Sequence, residues 1–130
     1  MALLKTYCSC GSIVLSNVGE KADNEKLYWY QSYHCDNCGE TMEIDCEGIA
    51  PEVIRNSILE SDGYYSLYIK ERKDRGKVVF LLKKWKNFLE LGLEDFLKQN
   101  TERIICGTQS EVMLVKDYLK RRGGIECIIE

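Results

Sequence analysis

Four cysteines set in two short turns constrain this chain more than any other feature. "CSCG" at Cys8–Gly11 and "CDNCG" at Cys35–Gly39 each place two thiols close together in sequence and follow them with a glycine. A turn of this kind curls its backbone around one point, and the glycine supplies the conformations that the curl needs. Zinc takes four soft ligands in a tetrahedron, and two such turns supply all four. Cys8, Cys10, Cys35 and Cys38 are therefore expected to hold one structural zinc ion. With every position filled by protein, no vacancy remains for water or substrate, so the metal is expected to fold the chain and not to catalyse. His34 and Cys46 are the residues that could replace a cysteine as ligand. A redox pair at "CDNC" is the rival reading, but that motif should open a helix, and here Gly39 and a strand pattern follow.

The segments around the turns read as strands. "SIVLSNV" (Ser12–Val18) and "KLYWYQSYH" (Lys26–His34) are rich in β-branched and aromatic residues, "GEKADNE" between them reads as a polar loop, and "ETMEID" (Glu40–Asp45) alternates polar with apolar side chains. A three-stranded antiparallel sheet carrying the two turns resembles a zinc ribbon, assigned to residues 1–48. "EGIAPEVIRNSILESDG" then changes period, with Val53, Ile54, Ile58 and Leu59 on one side of a helix, Pro51 in its first turn and Gly63 beyond its end. Residues 49–63 are expected to be a connecting helix.

From Tyr64 onward the order is strand, helix, bend, helix, strand, helix, strand. "YYSLYIK" is the first strand, and "ERKDRG" is a charged turn. "KVVFLLKKWKNFLEL" places Val78, Leu81, Leu82, Trp85, Phe88 and Leu89 at helical spacing, and Gly92 interrupts before "LEDFLKQN". "ERIIC" and "IECIIE" flank a helix in "GTQSEVMLVKDYLKRRGG". There Thr108 and Glu111 have capping-box spacing, and Gly123 suits the left-handed residue that closes the helix.

Through "LGL" at Leu91–Leu93 and the ending "LKRRGGIECII", residues 64–130 resemble the C-terminal domain of the bacterial ribosomal stalk protein. The resemblance implies a small β-α-α-β-α-β unit, so the fold class expected for the whole chain is α+β. That family presents basic residues of a helical face to translation factors. Lys83 and Lys86 fall at two such positions, but Glu94 and Asp95 follow "LGL" where the family places a lysine first, so factor binding does not carry over.

Composition narrows the function. Seven cysteines, an odd number, in close glycine-flanked pairs point to metal turns in a reducing compartment and away from a disulfide framework. The opening apolar run is too short for a signal-peptide core or a membrane span, so a cytoplasmic protein without membrane partners is expected. Cys46, Cys106 and Cys127 lie on apolar strand patterns and read as core. One histidine, no nucleophile elbow and no phosphate loop leave no catalytic set, and an enzyme is not expected.

Charge is uneven. Residues 1–50 carry three basic and eight acidic side chains, a net of −5, whereas residues 51–130 carry fifteen and thirteen, a net of +2. Nucleic acid needs a basic footprint, which the cysteine-rich half lacks. "KRR" (Lys120–Arg122) complements a helix dipole, and "KERKDR" is a solvated turn. The function expected is a non-enzymatic binder of another protein, first of all a small inhibitor such as an immunity protein that neutralises a basic toxin enzyme. Trp29, Asp36, Glu40, Glu43 and Asp45 are its candidate contact residues. A nucleic-acid- or translation-associated zinc-ribbon protein and a redox or metal-handling protein are the alternatives.

Overall fold

Alternation of apolar and polar side chains, carried through four consecutive segments, builds the first sheet. The computed structural model describes residues 2–85, 96, 98 and 101–130. Strands β1 (Ala2–Tyr7), β2 (Ile13–Asp23), β3 (Lys26–His34) and β4 (Thr41–Glu47) form an antiparallel meander in the order β1-β2-β3-β4. The sheet thus has four strands where the sequence reading expects three. β1 is the addition, and its register joins Ala2 to Val18 and Tyr7 to Ile13.

The β2–β3 connection also differs from expectation. β2 runs through the supposed polar loop to Asp23, and Asp23 pairs with Lys26 across a two-residue turn. Asn24 and Glu25 in that turn both have positive φ, 50° and 63°, the backbone twist that two-residue hairpins favour.

One face of this sheet is covered and the other is open. Ala2, Val14, Ser16, Val18, Leu27 and Tyr33 point to the covered side and are buried. α1 (Glu52–Asp62) lies against that side, placing Ile54 and Ile58 with Ala2, Val18 and Ala50 in one cluster, beside partly buried Leu4 and Trp29. Pro51 precedes the helix, and Gly63, at φ 83°, ends it. Ser57 donates its hydroxyl to the Leu3 carbonyl at 2.8 Å, tying the helix to β1. The segment expected as a connector therefore carries core residues of the first unit. Val53, counted on the buried side in the sequence reading, is 62% exposed because it sits one residue from the Ile54–Ile58 stripe.

The chain divides into two units, Met1–Gly63 and Tyr64–Glu130. In the second, β5 (Tyr65–Ile69) is the centre of a three-stranded antiparallel sheet between β6 (Arg103–Gly107) and β7 (Cys127–Ile129). A short 3₁₀ turn at Arg72–Asp74 leads into α2 (Arg75–Lys84), and α3 (Gln109–Gly123) links β6 to β7. Leu67, Val78, Leu82, Phe96, Val112, Val115 and Leu119 form its core. The molecule is α+β with antiparallel sheets, and among the described residues no helix is long and apolar enough to cross a membrane.

α2 stops at Lys84 instead of continuing through Trp85, which takes an extended backbone. Its indole stacks on Tyr118 at 4.3 Å between ring centroids, a tertiary contact that overrides the helical spacing. The bend at Leu91–Leu93, with Lys86, Phe88, Leu89, Glu94 and Asp95, lies outside the described residues.

The capping box of α3 forms as its spacing implies, Thr108 accepting from the Glu111 N–H and Glu111 from the Thr108 N–H. The left-handed closing residue is Gly124, at φ 63°, and not Gly123. Gly123 serves close packing instead. A Cβ there would come within 2.6 Å of a Leu81 methyl, and its carbonyl accepts from Lys77 Nζ at 2.7 Å.

The orientation of α1 is testable by two adjacent substitutions. Ile54→Ala should lower stability to chemical denaturation by about 3 kcal/mol. Val53→Ala should stay within about 0.5 kcal/mol of the parent. Equal losses at both positions would mean that the helix faces the sheet differently.

Candidate metal centre

In an up-and-down meander the first and third turns fall at the same end of the sheet. Here those turns are Cys8–Ser12, between β1 and β2, and Cys35–Glu40, between β3 and β4. Each is closed by backbone hydrogen bonds. Cys8 N–H donates to Ser12 O at 2.9 Å and Gly11 N–H to Cys8 O at 2.9 Å, while Cys35 N–H donates to Glu40 O at 2.8 Å and Gly39 N–H to Cys35 O at 2.7 Å. Gly11 and Gly39 have φ of 91° and 78°, values that a side chain would strain, so the glycine after each cysteine pair is needed where it stands.

β2 divides its pairing in a way that lets the two turns meet. Ile13–Val18 pairs with β1 and Asn17–Asp23 with β3, so only Asn17 and Val18 pair on both sides. Beyond them the hairpins part. Val14 and Tyr33 fill the space with Cys8, Cys35 and partly buried Met42, a small core beneath the turns. Polar contacts bridge the parting strands: Ser16 Oγ lies 2.8 Å from Thr6 Oγ1 and accepts from Gln31 Nε2 at 3.2 Å.

The four sulfurs all lie within 4.8 Å of one another, so Cys8, Cys10, Cys35 and Cys38 could hold a metal ion. Sulfurs at 2.3 Å from a tetrahedral centre stand about 3.8 Å apart. Cys8 Sγ to Cys38 Sγ is 3.5 Å and Cys10 Sγ to Cys35 Sγ is 3.7 Å, and both contacts join one turn to the other. Cys8 and Cys35 are buried whereas Cys10 and Cys38 face solvent, which leaves an ion a route of entry.

Proton affinities within the cluster are spread widely. Cys10 is held down to about 5, first by the Ser12 side chain and next by Asn37, whose amide donates to Cys10 Sγ at 3.5 Å. Cys38 receives a backbone hydrogen bond at Glu40 that favours its thiolate, yet its contact with Cys8, burial and the other thiols push it up to about 12. Cys8 is likewise raised, since burial and neighbouring acceptors outweigh a backbone hydrogen bond at Cys10. Cys10 thus ionises readily while Cys8 and Cys38 resist, as like charges crowded together do. Glu40 joins the edge of the group, accepting from the Ser9 hydroxyl and from Cys8 Sγ, the latter at 3.3 Å.

The two substitute ligands stand apart from the cluster. His34 turns its Nδ1 to Thr41 Oγ1 at 3.1 Å and its Nε2 towards Asp36 at 3.9 Å. Cys46 is half-buried on β4, paired with Trp29. The three remaining thiols are not alike. Cys127 is buried and pushed up to about 11 by desolvation, whereas Cys106 is exposed, contrary to its reading as core, since it pairs with Ser66 on the side of β6 opposite to that of buried Ile105, which pairs with Leu67.

The five candidate contact residues do not form one surface. Glu43 and Asp45 project from the open face of β4, and Asp36 and Glu40 lie in the adjoining turn. Trp29 points the other way, packed beside the α1 cluster, since its register partner Cys46 lies on the covered face with Met42. Sequence reasoning missed Ser9, Ser12 and Asn37 as hydrogen-bond partners of the thiols. Their only signal was a position inside a cysteine turn. No family model, curated protein or solved structure matches the chain.

Elemental analysis of purified variants checks the donor set. Cys10→Ser and Cys38→Ser, both at exposed positions, should each abolish stoichiometric metal retention, while His34→Ala and Cys46→Ser should retain it. In the metal-loaded chain a thiol reagent should react fastest at Cys106 and reach Cys127 only on unfolding.

Proposed function

We propose that the chain is a non-enzymatic, zinc-stapled protein-binding module whose partner is a basic protein. The observation that carries this reading is the closed four-cysteine cluster set in a strongly acidic unit. Zinc is the ion that suits four thiolates at tetrahedral spacing, and with all four ligands supplied by protein it is structural. The meander with its two cysteine turns supports reading residues 2–47 as a zinc ribbon with an added strand. In the second unit, the order strand, helix, strand, helix, strand around a central β5 supports the stalk-like reading, which carries fold and no function.

Charge supports the partner class. Residues 1–63 carry four basic and eleven acidic side chains, a net of −7, whereas residues 64–130 carry fourteen and ten, a net of +4. Four thiolates around a divalent ion add roughly −2 to the first unit. Such a field speeds encounter with a cationic protein and repels nucleic acid. An inhibitor of a basic enzyme is the form of this reading that the acidity favours most.

Metal analysis tests the staple. The chain should hold one zinc ion, and chelation should remove about 10–16 kcal/mol of apparent binding energy and collapse the dispersed amide signals of residues 2–63. A zinc-free chain with unchanged signals would overturn the structural role. A filter-binding titration against RNA and DNA should give no salt-sensitive affinity, and a steep salt slope would favour the nucleic-acid alternative.

A further inference from the structure

The open face of the first sheet is strongly apolar for a solvent-facing surface. Leu3, Tyr7, Ile13 and Leu15 are 53%, 74%, 63% and 55% exposed, and all four project from this side of β1 and β2. Tyr7 pairs with Ile13, and Lys5 with Leu15, so these side chains are neighbours across one hairpin. Alongside on β3, Tyr30 lays its ring over Gly19, where any Cβ would collide with it. Contiguous exposed apolar surface marks a contact site more often than scattered single residues do.

The same face ends in an acidic row. Glu43, Asp45 and Glu47 alternate on β4 opposite Ser32, Tyr30 and Tyr28. Lys26 satisfies Glu47 at 3.1 Å, while among the described residues Glu43 and Asp45 make no ion pair. The face therefore grades from an aliphatic cluster around Lys5 on β1 and β2, with Lys21 further along β2, through tyrosine on β3, to the carboxylates of Glu43 and Asp45 on β4.

We propose that this face docks a basic protein surface bearing an aliphatic anchor. The anchor seats on Leu3, Ile13 and Leu15, and its flanking cations meet Glu43 and Asp45. The inference rests on the acidic-binder reading of the first unit and adds the place and the chemistry of contact. A second copy of the chain is the rival occupant, since Lys5 on one face could meet Glu43 on another. Charge weighs against pairing of two such faces, because two first units of −7 repel as they approach, whereas a cationic surface is drawn in.

The test uses the full-length metal-loaded chain and two synthetic helical peptides, one with a leucine stripe flanked by lysines and one with glutamates in place of the lysines. Amide NMR titration should move the signals of Leu3, Ile13, Leu15, Tyr30, Glu43 and Asp45 with the lysine peptide and leave them in place with the glutamate peptide. Ile13→Thr with Leu15→Thr, both exposed and so compatible with folding, should weaken the lysine peptide about tenfold or more. Glu43→Gln with Asp45→Asn should flatten the salt dependence of binding.

Lysine-peptide shifts confined to another surface, unaffected by the threonine pair, would overturn the assignment of the face and leave the acidic-binder reading standing. No binding of the lysine peptide would overturn both. Movement of the same six signals on simple dilution, without peptide, would show a second copy on the face and overturn the basic partner.

Discussion

Four sulfurs held within 4.8 Å of one another cannot all be anionic unless a cation stands between them. Everything else in residues 2–63 is arranged around that constraint. The hydrophobic core that could hold the sheet together without a metal is small and divided, with one cluster under α1 and another of Cys8, Val14, Tyr33 and Cys35 beneath the turns. Two of the four residues in that second cluster are themselves candidate ligands. Ligation and packing are therefore coupled, since the thiols that would bind the ion also fill the space between the parting hairpins. Small units with cores of this size commonly rely on such a staple.

The second unit shows the opposite economy. Its core is one continuous cluster gathered from α2, α3 and all three strands, and both ends of α3 are capped by its own chain. Thr108 and Glu111 cap the start of α3, while Gly124 and Lys77 close its end. Cys127 belongs to that core as a hydrophobe whose desolvated thiol resists ionisation.

Sequence pattern reveals these two solutions unevenly. The cysteine spacing and its glycines were legible because ligand geometry and positive φ leave few other residue choices. β1 was harder to see. It is six residues long, and only Ala2 and Leu4 of its inward positions are apolar, so its alternation is short of evidence until β2 stands beside it. The far end of β2 was hidden for a different reason, since Glu20–Asp23 is charged apart from Ala22 and the turn that ends it uses Asn24 and Glu25, not glycine, at positive φ. Trp85 left its helix for a stacking partner 33 residues away, which no local periodicity can report. The candidate contact set splits at Trp29 by register, because a residue on β3 shares a face with Glu43 and Asp45 of β4 only at every second position. The apolar half of the open face depended on β1 and was invisible with it.

The acidic row on β4 has two roles that follow from one placement. β4 is an edge strand, and charged side chains along an edge discourage another strand from pairing there. Glu43 and Asp45 also point out of the sheet plane, beside the tyrosines, where on the proposed reading they would favour a cationic surface on the face. A neutral polar edge would serve the first role and not the second. A bound zinc ion would strengthen the second, because a tetrathiolate centre would leave roughly −2 at the end of the same sheet. On the proposed reading, the staple that would order the strands and the field that would draw in a basic partner are parts of one charge distribution.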